Sequence, residues 1–106
     1  MRTTVAGVPA DALRRADIEE RLRTALAGQG TPLLVLNANP EIVLHARENL
    51  VLRATLSSAD VLLPDGIGLV WALRVAGHSA ERYTGVEALE LLLREALRLQ
   101  LRVFIA

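Results

Sequence analysis

A carboxylate follows a run of branched apolar residues in the middle of the chain, where Pro64-Asp65-Gly66 comes directly after Val61-Leu62-Leu63. The apolar run predicts a short buried strand, and Pro-Asp-Gly predicts a turn. Apolar residues at helical spacing then resume at Ile67, Val70, Trp71 and Leu73. Asp65 is therefore expected between a strand end and a helix start, where open α/β sheets bind ligands. The alternative is that Asp65 only makes the turn and caps the helix, and the spacing alone favours that alternative.

A second polar junction follows the apolar run Leu33-Leu34-Val35-Leu36, which predicts a buried parallel strand. Asn37 comes directly after this run, and Asn39-Pro40-Glu41 is typical of a helix start. Because the carboxyl ends of neighbouring parallel strands meet at one crevice, we expect Asn39 and Asp65 to share a pocket. Taken alone, Asn39 is better explained as a helix cap.

The third candidate is Arg82 in the segment Glu81-Arg82-Tyr83-Thr84-Gly85, which predicts a loop or short strand followed by a helix with Thr84 as its cap. An arginine can bind a phosphate or a carboxylate through two hydrogen bonds. A surface ion pair with Glu81 or Glu87 is the commoner fate of such a residue. Together the three junctions favour a crevice for a phosphate or a sugar, and they name no reaction.

Other motifs are incomplete or absent. Gly66-Ile67-Gly68 lacks the third glycine of the dinucleotide fingerprint, because Trp71 stands at that position. No GxxxxGK[ST] sequence occurs, which excludes a P-loop, and no DxD pair is present to hold a metal-bound nucleotide. His45 and His78 have no companions at metal-ligand spacing. No metal site is predicted.

The composition indicates one small α/β domain over residues 1–106, with 52% apolar residues and a mean hydropathy of +0.33. Twelve scattered arginines balance twelve acidic residues, and the aromatic content is only 3%. A nucleic-acid partner is therefore not expected. The absence of cysteine excludes disulfides and thiolate catalysis. No apolar run has signal-peptide character or approaches the roughly 20 residues that span a bilayer.

The element order predicts a largely parallel, Rossmann-like sheet with helices on both faces. We expect an edge strand over 2–8, and a helix that starts with a capping box at Asp17-Ile18-Glu19-Glu20 and ends at Gly28-Gln29-Gly30. Two helices are expected over 40–48 and 50–58, and a last strand over 101–106. The final long helix is expected to bury one face, formed by Leu89, Leu92, Leu93, Ala96, Leu97 and Leu99. Because the sequence stops inside an apolar strand, we expect a piece of a longer domain, and an open strand edge favours a homo-oligomer.

Three blocks of the sequence resemble the WecG/TagA/CpsF family of glycosyltransferases. They are Asn39-Pro40-Glu41, the stretch from Ala59-Asp60-Val61 to Val70-Trp71-Ala72, and Glu81-Arg82-Tyr83-Thr84-Gly85, with Leu101-Arg102-Val103-Phe104-Ile105 closing the match. The resemblance covers nearly the whole chain but only the N-terminal part of the family's domain. It implies a cytoplasmic bacterial enzyme, peripheral on the inner face of the cell membrane, that builds surface polymers such as wall teichoic acid.

The resemblance also implies a reaction. Family members transfer an N-acetylmannosamine-type sugar from a UDP donor to an undecaprenyl-diphosphate-linked N-acetylglucosamine, with inversion and without a metal or other cofactor. Asp65 corresponds to the family's proposed general base, which would take the proton from the acceptor hydroxyl as that oxygen attacks the anomeric carbon.

The same resemblance implies which residues bind substrate: Asn37, Asn39, Gly66, Arg82 and Gly85. Asn39 matches the asparagine of a Thr-x-Asn pair, and Asn37 stands where the family usually has threonine. Arg82 and Gly85 match the Glu-Arg-x-x-Gly block. A non-catalytic remnant or binding module of the same fold is the main alternative. A nucleotide-cofactor oxidoreductase is a third, and the incomplete glycine fingerprint disfavours it.

Overall fold

The computed structural model describes residues 1–28 and 32–105 and shows an α/β fold. The strands and helices in these ranges are β1 (Arg2–Val5), β2 (Val8–Asp11), α1 (Arg15–Leu26), β3 (Val35–Ala38), α2 (Pro40–Glu48), α3 (Leu50–Ser58), β4 (Val61–Pro64), α4 (Ile67–Val75) and α5 (Gly85–Arg98). β3 and β4 form a parallel pair, and β1 and β2 form an antiparallel pair. The expected larger parallel sheet is thus limited, in the described ranges, to two parallel strands.

The N-terminal segment is a hairpin and not the single edge strand expected over 2–8. The chain turns at Ala6 and Gly7, whose φ angles are 51° and 79°, so that Val5 pairs with Val8. Two consecutive positive φ angles are typical of a two-residue hairpin turn, which the sequence Asn-Gly usually indicates. Here the turn residues are Ala-Gly, so the sequence did not predict the hairpin. Pro9 lies within β2 opposite Thr4. In this hairpin the second pair from the turn is not hydrogen-bonded, so the ladder tolerates a residue without an N–H.

β3 and β4 end at the same level, with Val35 beside Val61 and Ala38 beside Pro64. β3 begins two residues later than expected, because the pairing starts only where β4 begins, and it therefore includes Asn37. All four residues of β4 are buried. The two residues that follow these strands, Asn39 and Asp65, consequently lie together at the carboxyl end of the sheet, as predicted.

The backbone groups of β4 that face away from β3 have hydrogen-bond partners other than a third strand. The Leu62 N–H donates to the Asp11 carboxylate at 2.8 Å, and the Pro64 carbonyl accepts from the Tyr83 N–H at 3.1 Å. Alternate residues of a strand direct their backbone groups to opposite edges, so these contacts lie opposite the β3 ladder. The hairpin and the segment before α5 therefore take the place of neighbouring strands.

Apolar side chains pack on both faces of β4. Leu62 belongs to a cluster with residues of the hairpin, α2, α3 and α4, whereas Val61 and Leu63 belong to a second cluster with residues of α1 and α5. Tyr83 is buried in the second cluster, with 1% of its surface exposed. No helix in the part of the chain described here is long and apolar enough to cross a membrane.

The helices α2 and α3 have the predicted bounds, and each begins with an asparagine cap. The Asn39 side chain accepts from the Ile42 N–H at 2.9 Å, and the Asn49 side chain accepts from the Leu52 N–H at 3.0 Å. Leu56 is buried on the inner face of α3, as expected. Where the start of a helix depends on neighbouring residues alone, the sequence is sufficient to predict it.

The predicted capping box of α1 is wrong, because the helix starts at Arg15 and not after Asp17. Arg14 occupies the cap position without a side-chain hydrogen bond. The Arg15 N–H instead donates to the Glu81 carboxylate at 3.2 Å, so a residue distant in sequence supplies the acceptor. The helix ends at Leu26, and Gly28 follows with a φ of 75°. The other two residues of the predicted stop, Gln29 and Gly30, lie outside the described residues.

The inner faces of the last two helices match the predicted faces only in part: Val70, Leu73 and Ala96 are buried as expected. In α4 the buried residues are Leu69, Val70 and Leu73, whereas Ile67 and Trp71 are 71% and 68% exposed. In α5 the buried residues are Ala88 and Ala96, and the expected inward residues Leu89, Leu93 and Leu97 are exposed. α4 carries apolar residues around most of its circumference, so periodicity alone does not identify its packed face. α5 is amphipathic, but its apolar stripe is wider than the face that packs, which leaves Leu89, Leu93 and Leu97 exposed.

The expected last strand over 101–106 is not formed in its described part, residues 101–105, which are exposed and without regular structure. The Gln100 N–H donates to the Leu97 carbonyl and the Leu101 N–H to the Ala96 carbonyl, with Gln100 at a φ of 55°. This is the Schellman arrangement that ends helices, here without glycine. A strand requires a ladder partner, and residues 101–105 pair with none of the described strands. Ala106 lies outside the described residues.

Candidate functional site

The Asp65 side chain is partly buried at the carboxyl end of the sheet, where β3 and β4 end. Its Oδ2 atom accepts hydrogen bonds from the Asn37 side-chain amide at 3.1 Å and from the Gly85 N–H at 3.3 Å. Its backbone N–H donates to the Ala38 carbonyl at 3.1 Å, which continues the ladder by one step. The structure therefore brings together three predicted site residues: Asn37, Asp65 and Gly85.

The three residues come from three parts of the chain that meet at this end of the sheet. Asn37 lies in β3, Asp65 follows β4, and Gly85 is the first residue of α5. A capping box fixes the start of α5, because the Thr84 hydroxyl accepts from the Glu87 N–H at 3.1 Å and the Glu87 carboxylate accepts from the Thr84 N–H at 3.3 Å. Thr84 is the cap predicted from the sequence. A carboxylate next to a helix N-terminus is stabilised by the helix dipole.

Gly85 has no room for a side chain. A Cβ atom at this position would lie 2.6 Å from the Asn37 Nδ2 atom. Real contacts of a Cβ atom are longer than this, so any other residue at position 85 would displace the Asn37 amide. The absence of a side chain at Gly85 is thus a condition for the contact between Asn37 and Asp65.

Gly66 lies close to the start of α2 at the same end of the sheet. Gly66 has a φ of 138°, and a Cβ atom there would lie 2.9 Å from the Pro40 Cδ atom and 3.6 Å from the Asn39 Cβ atom. The starts of α2 and α4 therefore meet at this glycine. The Asn39 Oδ1 atom caps α2, whereas its Nδ2 atom makes no hydrogen bond within the described ranges. The helix-cap interpretation of Asn39 is confirmed, and the pocket shared with Asp65 stays a prediction.

Arg82 is exposed, and the structure does not pair it with either of the acidic residues considered for it. Its carbonyl accepts from the Arg15 Nη1 atom at 2.9 Å. Arg15 also forms the ion pair with Glu87, and Glu81 accepts from the backbone of Arg15. Among the residues that the structure describes, no acidic side chain lies within 4.0 Å of the Arg82 guanidinium. Hydrogen bonds of this guanidinium to Asp65 are also absent there.

A charged cluster centred on Arg15 was not predicted from the sequence. Arg15 pairs with Glu87 and lies over the ring of Tyr83, 4.8 Å from its centroid, and the Tyr83 hydroxyl donates to Glu19 at 3.4 Å. These residues line part of a cleft of about 380 Å³ between α1 and α5. The contacts join residues that are 64 to 72 positions apart, so no local sequence pattern predicts them. The cluster attaches the start of α1 to the segment that positions Gly85.

The contacts of this cluster shift the pKa values of its acidic and phenolic members. The hydrogen bond from Arg15 lowers the pKa of Glu87, with smaller contributions from the cap at Thr84. Burial raises the pKa of Tyr83, and the charge of Glu19 raises it further. Within the described ranges there is no group of three or more His, Cys, Asp or Glu side chains placed to hold a metal ion.

Comparison with known proteins identifies relatives. The chain is 38% identical over 84 residues to an N-acetylglucosaminyldiphosphoundecaprenol N-acetyl-beta-D-mannosaminyltransferase of Bacillus spizizenii, over 78% of this chain and 33% of that protein. The chain thus spans about a third of the length of this curated relative. Residues 3–106 also match the family described as the glycosyl transferase WecG/TagA/CpsF family. The resemblance noted in the sequence is confirmed, and the chain belongs to the WecG/TagA/CpsF family of glycosyltransferases.

Proposed function

We propose that the protein transfers an N-acetylmannosamine-type sugar from a UDP donor to an undecaprenyl-diphosphate-linked N-acetylglucosamine, with inversion. Family membership and the activity for which the Bacillus spizizenii relative is named support this proposal. One structural observation carries it: a partly exposed carboxylate, Asp65, stands at the joint end of two parallel strands and at the start of α5. That is the position where α/β sheets bind and convert their ligands.

In this reaction Asp65 is the general base. It takes the proton from the acceptor hydroxyl while that oxygen attacks the anomeric carbon, and the bond from that carbon to UDP breaks on the opposite face. Inversion at the anomeric carbon follows from this single displacement. A positioned base of this kind contributes about 10²–10⁴-fold to the rate.

Asn39 and Arg82 bind the two substrates. The Nδ2 atom of Asn39, which has no partner among the residues that the structure describes, is available to a sugar hydroxyl or acetamido group beside Asp65. The exposed guanidinium of Arg82 suits the donor diphosphate, because an arginine binds phosphate oxygens in pairs. Gly66, which follows Asp65 in the chain, and Gly85, whose N–H donates to it, add no side chains beside the carboxylate. Asn37 stands where the family usually has threonine, and its amide donates to Asp65.

We extend the proposal to the setting of the reaction. Residues 1–106 form the N-terminal portion of one α/β glycosyltransferase domain, whose Rossmann-like sheet contains more strands than β3 and β4. The enzyme works in surface-polymer synthesis, such as that of teichoic acid, at the inner face of the cell membrane, where its lipid-linked acceptor resides. Self-association of the chain is a further expectation, for which exposed apolar residues such as Leu97 and Phe104 provide a surface.

The test is a transfer assay with radiolabelled UDP-sugar and a lipid-diphosphate acceptor. We expect Asp65→Asn, which keeps the shape of the side chain and loses proton acceptance, to lower kcat by about 10²–10⁴-fold. Asp60→Asn is the matched control, since Asp60 is exposed and binds the Leu34 N–H away from the site. Equal turnover of wild type and Asp65→Asn would exclude Asp65 as the base.

A binding module of the same fold is the alternative outcome. Such a protein would bind UDP in calorimetric titration but show no transfer at any acceptor concentration, and Asp65→Asn would leave its affinity for UDP nearly unchanged.

A further inference from the structure

We propose that Asn37 and Gly85 are positioning residues that hold the Oδ2 atom of Asp65 and leave Oδ1 as the oxygen that accepts the proton. This inference rests on the proposed function, because it assigns the general base to one atom. It also changes the role expected for both residues from substrate contact to orientation of the carboxylate.

Both described donors to the Asp65 side chain converge on one oxygen. The Asn37 amide approaches Oδ2 from β3 and the Gly85 N–H approaches it from α5, at 3.1 and 3.3 Å. Two donors fixed on different elements restrict rotation of the carboxylate about the bond to Cβ. Hydrogen bonds to a charged acceptor are also stronger than those between neutral groups.

The second oxygen, Oδ1, has no hydrogen-bond partner within residues 1–28 and 32–105. No buried side-chain oxygen or nitrogen in these ranges lacks a partner, and therefore Oδ1 reaches the surface of the molecule. A base must lie within about 2.6–3.2 Å of the proton-bearing oxygen. Oδ1 is the atom of Asp65 that an incoming hydroxyl can approach without displacing a protein contact.

Gly85 contributes its N–H and also the space that Asn37 occupies. The backbone of Gly85 is in an ordinary helical conformation, so an alanine there would not strain the main chain. Its Cβ atom would instead lie 2.6 Å from the Asn37 Nδ2 atom and 3.1 Å from Asn37 Oδ1. Gly85→Ala therefore tests the position of the Asn37 amide while the helix remains favourable.

Two-dimensional ¹H–¹⁵N NMR of the chain tests these contacts without any turnover. We expect Asp65→Asn to move the Gly85 backbone amide and the Asn37 side-chain amide upfield, because both lose a charged acceptor. The control is Asp60→Asn, which should move the Leu34 amide and leave Gly85 in place, since Asp60 accepts from the Leu34 N–H at 2.7 Å. Unchanged Gly85 and Asn37 resonances in Asp65→Asn would overturn the proposal.

Gly85→Ala supplies the second measurement. It should move the Asn37 side-chain resonances while circular dichroism shows an intact helix content, and the neighbouring exposed substitution Val86→Ala should move neither. An Asn37 side chain that does not respond to Gly85→Ala would contradict the steric part of the proposal.

Kinetics then separate positioning from substrate binding. Asn37→Leu, which keeps the bulk and removes the donor, should lower kcat about tenfold or more through misplacement of the base, with the KM for the UDP-sugar unchanged. A raised KM with unchanged kcat would identify Asn37 as a substrate contact and overturn its role here. If the NMR contacts hold but no variant or wild type transfers sugar, the proposed function fails and the orientation of Asp65 stands. If sugar transfer depends on Asp65 but NMR does not show the contacts of Asp65 with Asn37 and Gly85, the proposed function stands and the positioning role of these two residues fails.

Discussion

The carboxylate of Asp11 accepts a hydrogen bond from the Leu62 N–H at 2.8 Å, across 51 positions of sequence. Asp11 is 5% exposed, and Arg2 binds it through Nε at 2.7 Å and through Nη2 at 3.0 Å. Because the Leu62 N–H points away from β3, this carboxylate occupies the place of a neighbouring strand. One side chain thus connects the hairpin to the central strand that leads to Asp65.

Asp11→Ala should destabilise the fold by about 2–4 kcal/mol, because it leaves a buried N–H without an acceptor and Arg2 without its partner. The free energy of unfolding from urea titrations at pH 7, followed by circular dichroism, measures this effect. Asp17→Ala is the control: Asp17 is exposed in the first turn of α1, and its loss should cost under about 1 kcal/mol. Equal urea midpoints for the two variants would show that Asp11 does not stabilise the edge of β4.

The limits of prediction from sequence follow from the same contact. Local rules were sufficient for α2, since Asn39, Pro40 and Glu41 provide the cap and first turn themselves. They were not sufficient for the hairpin or for α1, whose turn and cap depend on Ala6 in an unusual conformation and on the distant Glu81. The parallel pairing was predicted, but its extent was not. Asp11 and the Tyr83 N–H occupy positions on β4 that a third strand would need.

The candidate site was predicted in part for a similar reason. Equal strand ends place Asn39 beside the turn that contains Asp65, which follows from topology. The direct contact of Asp65 is with Asn37 and Gly85 instead, and it depends on where β3 starts and on how α5 approaches. Both depend on how the elements pack, and the spacing of residues along the chain does not predict that packing.

The ion pair of Arg15 with Glu87 predicts a stability that depends on pH. Arg15 lowers the pKa of Glu87 below its ordinary value of 4.5 in the folded protein. A lowered folded pKa contributes stability that is present above pH 4.5 and is lost as the pH falls through the lower value. We therefore expect Glu87→Gln to be less stable than wild type at pH 7, with the difference shrinking below pH 4.5. Both side chains are partly exposed, so the effect of the pair stays under about 1 kcal/mol.

Urea titrations between pH 7 and pH 3 measure this difference. Glu20→Gln is the matched control, because Glu20 is exposed on α1 and makes no ion pair within the described ranges. A Glu87→Gln deficit that is constant across this pH range would show that the carboxylate acts only through its uncharged contacts.

Tyr83 provides a spectroscopic test of the cleft between α1 and α5, because it is the only tyrosine in the sequence. Burial, and next the charge of Glu19, raise its pKa above the ordinary value of 10.0. Tyrosinate absorbance should therefore appear with a midpoint above pH 10.0, provided the fold persists. Glu19→Gln should lower that midpoint and Glu20→Gln should not. A wild-type midpoint at or below pH 10.0 would contradict the burial of this phenol beside Glu19.

Two glycines in the turn after Asp65 should respond differently to the same substitution. Gly66 has a φ of 138°, and an added Cβ atom would lie 2.9 Å from the Pro40 Cδ atom, so Gly66→Ala should cost about 1–3 kcal/mol from backbone strain alone. Gly68 has an ordinary backbone conformation, and its Cβ atom would lie 3.3 Å from the Pro40 Cγ atom. Gly68→Ala should change the free energy of unfolding by under about 1 kcal/mol, because the gain in helix propensity offsets a tight contact with a ring that can adjust. Urea midpoints of the two variants measure the difference. Equal costs would contradict the positive φ of Gly66, and with it the geometry of the turn that follows Asp65.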